Sequence, residues 1–172
     1  MGTIMVIDLV ILILFPALMA FAAASDLLTM TISNRVSIIL IGGFLALAVG
    51  SGMAPMEILS HAGAAALVLV VSFGLFACGW IGGGDAKLAA ATALWLGFDL
   101  LLKYLVYASL LGGALTLLLI QFRLVPLPSL LAGQPWAQQL HRKDGAIPYG
   151  IALAAAALLV YPDTSWMKAI GL

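Results

Sequence analysis

Long apolar runs, interrupted by short clusters of glycine, proline, serine and charge, set the plan of this chain. The runs fall at roughly 4–25, 35–50, 57–80, 86–98, 101–121 and 146–162. About 20 apolar residues in an α-helix cross the hydrocarbon core of a bilayer, and most of these runs approach that length. In lipid, only helices and closed barrels satisfy every backbone group internally. The runs are rich in leucine and alanine and do not alternate with polar residues, which argues against a barrel. The pattern therefore predicts an all-α, polytopic membrane helical bundle of about six transmembrane helices, forming a single domain over residues 1–172. The fourth helix is the shortest, because Gly97 and Asp99 cut it off early, and a tilted or partly re-entrant course would accommodate it. Small residues such as Ala62, Gly63, Ala64, Ala65 and Ala66 are dense from the third run onward and allow helices to pack closely.

Composition sharpens this picture. Of 172 residues, 65% are hydrophobic and 8% charged, with a mean hydropathy of +1.22, against about 25% charged residues in a soluble domain. Seven basic and seven acidic residues cancel, so no basic field exists for nucleic acid, and none is expected as a partner. One cysteine, Cys78, excludes an intrachain disulfide, and the two histidines, His61 and His141, are far apart in the chain. No metal site and no cofactor is predicted. The apolar start ends in Ala22-Ala23-Ala24, like a signal cleavage site, but no basic residue precedes Arg35, so it is read as a first membrane helix. Pro16 is expected to kink it.

Basic residues set the orientation. Arg35, Lys87, Arg123, Arg142 and Lys143 lie beside the first, third and fifth connections, and only Lys103 and Lys168 lie on the other side. The positive-inside bias places the odd connections in the cytoplasm. The long fifth connection, with Pro126, Pro128, Pro135 and Trp136, is expected to skim the headgroups without taking part in chemistry.

A carboxylate near membrane-embedded structure is costly and is a functional candidate. Asp26 ends the first helix and Asp85 opens the fourth, so two crossings bring both to the cytoplasmic face. Asp8, Glu57, Asp99 and Asp163 fall on the opposite side, and Asp144 sits among bases in the long loop. Asp85 closes the run Gly82-Gly83-Gly84-Asp85, continued by Ala86-Lys87-Leu88. Its glycines permit close approach of another backbone, such as an extended peptide. Each aspartate also has a structural reading: Asp85 can cap its helix, and Asp26 can belong to a plain interfacial turn in which Ser33 or Asn34 caps the second helix. Lys87 is read as facing headgroups rather than tuning Asp85. Two carboxylates held close cannot both ionise easily, so one keeps a proton and the pair supplies an acid and a base. Aspartyl proteolysis needs that division. Membrane aspartates beside glycine breaks also suit a small proton- or ion-coupled transporter, whose sites lie near the midplane and often within repeats. A structural subunit of a pilus or secretion assembly would tolerate asparagine at both positions.

These motifs resemble the type IV prepilin peptidases, most closely the short form serving tight-adherence (Tad) pilus systems. The family pattern is an aspartate after a membrane helix, then Ile-Pro-Asn in the same loop, then a GxGD motif followed by Ala-Lys-Leu two helices later. The matching elements are Asp26, Ile32-Ser33-Asn34, and Gly82 through Leu88. The resemblance implies that Asp26 and Asp85 are catalytic, with Gly82, Gly83, Gly84, Lys87 and Asn34 in support. It implies a prepilin substrate, cleaved on the cytoplasmic side of a bacterial or archaeal membrane just before the substrate's hydrophobic helix. Ile147-Pro148-Tyr149-Gly150 resembles a family element that packs near the site, which adds Pro148 and Gly150. Ser33 replaces the usual proline. Only 25 residues precede Asp26, so the resemblance implies a peptidase without the methyltransferase activity of larger relatives. Presenilin-like relatives share GxGD but carry Tyr before the first aspartate, where this chain has Ser25.

Overall fold

A computed structural model describes residues 2–171 and contains only helices and turns among them. In chain order these are α1 (Gly2–Thr29), α2 (Asn34–Gly50), α3 (Pro55–Ala77), α4 (Gly83–Leu124), α5 (Pro135–His141), α6 (Tyr149–Val160), a 3-10 turn (Tyr161–Asp163) and α7 (Ser165–Ala169). Four spans, Val6–Thr29, Pro55–Ala77, Gly83–Leu124 and Tyr149–Ala169, are long and apolar enough to cross a membrane, and α2 is a shorter apolar helix. The protein is an all-α membrane helical bundle.

The predicted fourth and fifth helices form one element that breaks at Gly97. As a straight rod, 42 residues would reach about 63 Å, twice the thickness of the hydrocarbon core. Instead Gly97 takes φ +66° and ψ −178°, a conformation open to glycine and strained for other residues. The two arms, 83–96 and 98–124, fold back beside one another, since Asp85 and Gly112 line the same cavity. A Cβ on Gly97 would lie 3.0 Å from the imidazole of His61, so space and torsion both require glycine there. The early end foreseen at Gly97 is this hairpin turn.

α1 extends one turn beyond the predicted end and runs through Pro16 as one helix. Met30 stops it: its N–H bonds to the Asp26 carbonyl at 2.9 Å, and its φ of +52° turns the chain back toward α2. Ser33 caps α2, its hydroxyl accepting from the Arg35 N–H.

α6 is the most enclosed span. Gly150, Ala152, Ala154, Ala156, Ala157 and Val160 are buried, and their small side chains let α1 and α4 close on it. The outer faces are apolar and open, as with Val70, Phe73, Leu102 and Leu118, which suits lipid contact. Near the Gly97 end the interior is aromatic. Phe15, Phe44, Trp95, Tyr161 and Trp166 pack ring against ring, with Phe15 and Tyr161 stacked at 4.4 Å. Their polar atoms all find carbonyls: Trp95 Nε1 donates to Leu40, Trp166 Nε1 to Trp95 and the Tyr161 hydroxyl to Ile11. His61 joins the cluster through Nδ1, 2.7 Å from the Leu94 carbonyl oxygen, so it is a structural histidine.

Candidate active site

The end of the bundle opposite Gly97 is assembled from three segments far apart in sequence. Asp26 lies in the last turn of α1, within the helix rather than at its end, and is 6% exposed. Its Oδ2 accepts the Gly150 N–H at 2.7 Å, a bond joining positions 124 residues apart. Pro148 holds the start of α6 and is fully buried. Without an N–H of its own it places the following amides at a helix start, where they have no intrahelical partner. One of those free amides fixes the Asp26 carboxylate. A Cβ on Gly150 would stand 2.7 Å from both Asp26 Oδ2 and Ile32 Cδ1, so the bond requires glycine.

Asp85 is the third residue of α4. Its Oδ2 accepts the Gly82 N–H at 3.3 Å, so the capping reading of this aspartate is realised. That bond is long, and the side chain also lines a cavity. Asp26 and Asp85 lie within range of one another's charge; the count of crossings predicts a shared face and says nothing of their separation.

The glycine run differs from expectation in what it makes room for. A Cβ on Gly84 would meet Ile32 at 3.1 Å, and one on Gly83 would meet the Phe76 ring at 3.3 Å. The backbone that approaches Gly84 is therefore the chain's own loop between α1 and α2, not open space for a peptide. Lys87 is exposed, as a headgroup-facing residue would be, and its Nζ also donates to Asn34 Oδ1 at 2.9 Å. This bond ties the α4 start to the α2 start. Within the loop, the Ser25 and Thr29 hydroxyls donate to the Thr31 carbonyl, and the Thr29 hydroxyl also donates to the Ser25 carbonyl. Every singled-out position, Asp26, Asn34, Gly82, Gly83, Gly84, Asp85, Lys87, Pro148 and Gly150, thus comes to one end of the bundle.

The long fifth connection is docked at this end too. Ala137 and Leu140 of α5 are buried, and Arg123 at the end of α4 donates to the carbonyls of Leu140 and Ala146. Asp144 pairs with Arg142 at 2.9 Å, and this partner holds its carboxyl below the usual range. It is occupied as a loop contact. Of the four acidic positions expected on the opposite side, Glu57, Asp99 and Asp163 line a separate cleft at the Gly97 end, where Lys103 bridges to Asp163 at 2.6 Å; Asp8 is not part of it. Among the described residues no group of three or more histidine, cysteine or acidic side chains could hold a metal.

Sequence reasoning missed Gly112 and Gly113. They lie in the middle of α4's second arm and form part of the cavity wall on which Asp85 stands. A glycine pair inside a leucine-rich run was the available signal.

The arrangement unites two carboxylates, a backbone donor on each of them and an adjacent apolar cavity in a bundle of apolar helices. No curated protein and no solved structure matches the chain. A family model described as the type IV leader peptidase family does match, over residues 13–117, more than half of the chain. That stretch contains both aspartates and the glycine run, while the Pro148–Gly150 element lies beyond it. Two motif-bearing helix ends, brought together in space within the matched region, agree with this assignment, and the chain, a multi-pass membrane peptidase, belongs to the type IV leader peptidase family.

Proposed function

We propose that the protein is an aspartic endopeptidase that removes the short basic leader from prepilins at the cytoplasmic face of a bacterial or archaeal membrane. Asp26 and Asp85 are its catalytic pair. The observation that carries this reading is the convergence of the two carboxylates at one bundle end, with Asp26 fixed by the Gly150 N–H. In the reaction, the ionised carboxylate takes a proton from water as the oxygen attacks the scissile carbonyl carbon. The protonated partner gives its proton to the carbonyl oxygen; the proton taken from water then passes to the departing amine as the C–N bond breaks, and a hydroxyl proton of the collapsing intermediate returns to the partner, which restores the pair. Lys87, Asn34 and the glycines act one step back, by holding the two loops at a fixed separation.

The membrane side follows from charge. The contacts between Lys87 and Asn34 and between Arg123 and the fifth connection bring together the same connections that hold Arg35, Arg142 and Lys143. This basic end suits the cytoplasm and a leader that has not been translocated.

Co-expression with a prepilin and mass analysis of the pilin test the proposal. The expected product has lost its leader and begins at the first residue of its hydrophobic helix. A pilin of unchanged mass, from cells whose membranes contain the folded protein, contradicts it and turns attention to ion flux.

A further inference from the structure

The cavity beside Asp85 has a volume of about 510 Å³ and runs between α3, the two arms of α4 and the start of α6. Its axis is legible from its walls. Asp85, Ser72 and Tyr149 stand at the site end, and Leu101 and Leu67 lie deeper toward Gly97. From Gly113 to Leu101 the wall follows one helix for about 18 Å, three to four helical turns. Val71, Leu105 and Gly113 are exposed, so the cavity is a groove open sideways to lipid.

Its chemistry is one-sided. Among the described residues Asp85 is the only charged one on it. Ser72 and Ser109 spend their hydroxyls on the Val68 and Leu105 carbonyls of their own helices, and the Tyr149 hydroxyl is 3.1 Å from Thr116 Oγ1. Among the described residues, every side-chain hydroxyl along the wall thus has a partner, which leaves Asp85 as its polar end. The floor is made of small residues, Ala108, Gly112, Gly113 and Ala152, which let another helix approach to backbone distance. A Cβ on Gly113 would meet nothing within 4 Å. An apolar, small-floored, helix-length groove that ends on a carboxylate is matched by an apolar helix whose reacting bond lies at its end.

We propose that this groove seats the hydrophobic helix of the substrate, so that the peptide bond preceding that helix lies at Asp85. The proposal rests on the peptidase reading above and adds where the uncut part of the substrate binds. It separates this groove from a second one of similar size between α2 and α3, lined by Ile38, Ala66 and Leu69, which ends on Lys87 and Asn34 rather than on a carboxylate.

Cysteine linking decides between the two grooves. Cys78 is the only cysteine and is exposed, so a Cys78→Ser parent gives a clean background. Its cleavage of a co-expressed prepilin tests the peptidase reading alone, and a parent that leaves the prepilin uncut overturns both proposals. In that parent carrying Asp26→Asn, so that uncut substrate persists, Gly113→Cys and Ala66→Cys are each combined with single cysteines along the pilin helix and oxidised in native membranes. Disulfide-linked pilin is expected at Gly113→Cys and not at Ala66→Cys. Cleavage by the parent together with linking at Ala66→Cys alone, at both positions equally, or at neither overturns the groove assignment and leaves the peptidase standing. As an independent readout, Gly113→Leu fills open space rather than protein and is expected to slow cleavage of the full prepilin by about tenfold or more without lowering the melting temperature. Wild-type cleavage by a folded Gly113→Leu overturns the proposal.

Discussion

Around Gly97 the interior of the bundle is filled with aromatic rings, whereas at the opposite end, where Asp26 and Asp85 converge, it is emptied by glycines. Trp95, Phe15 and Phe44 are fully buried, and the indole and phenol donors near them are spent on carbonyls. Gly84 and Gly150 instead give way to Ile32 and to the Asp26 carboxylate, both at less than van der Waals distance from any added Cβ. The first end gains rigidity from volume, and the second gains proximity from its absence. A carboxylate pair needs fixed separation, and a bundle clamped at one end can hold that separation at the other with few contacts of its own.

Substitutions that exchange the two characters break the comparison. Outside the aspartates, the largest effect on cleavage is expected from Gly150→Val. It drives a side chain into Asp26 Oδ2 and removes the carboxylate from its amide donor, and a displacement near 1 Å costs about 100-fold in rate. Cleavage rates on prepilin in detergent check this, and an active Gly150→Val would show that the Asp26 geometry is not required. Trp95→Ala should act in the opposite sense. It opens a cavity and orphans the Leu40 carbonyl at a cost of about 3–5 kcal/mol, read as a lower unfolding midpoint, with turnover per folded molecule retained. Equal loss of turnover and stability would mean that the aromatic end does more than clamp. The smallest effect is expected from Lys87→Met, which removes one exposed tie to Asn34 and should lower stability by about 1 kcal/mol or less and slow cleavage severalfold. Restoration of wild-type rates by Lys87→Arg would assign the effect to the tie.

The comparison also explains which features could be read from sequence. Helix class, the shared face of Asp26 and Asp85 and the separate grouping of Glu57, Asp99 and Asp163 follow from hydropathy and from counting crossings, because lipid forces each apolar run through the bilayer. The break at Gly97 was legible for the same reason. What Gly82, Gly83 and Gly84 make room for was not. A glycine run states that something approaches, and only the fold shows that Ile32 and Phe76 do so. The tie between Lys87 and Asn34 was not legible either, because the two are 53 residues apart and no local pattern links them. The aromatic cluster drew no attention since its members are scattered over α1, α2, α4, the 3-10 turn and α7, with no local pattern to join them.

The most direct test of the account is cleavage of a prepilin by the wild type and by Asp26→Asn and Asp85→Asn, each compared at equal amounts of folded protein. Asparagine keeps the volume of each side chain and removes its acid–base function. Cleavage by the wild type and by neither variant, with melting temperatures unchanged, is the predicted result. Cleavage by either variant at the wild-type rate would contradict the paired-carboxylate mechanism.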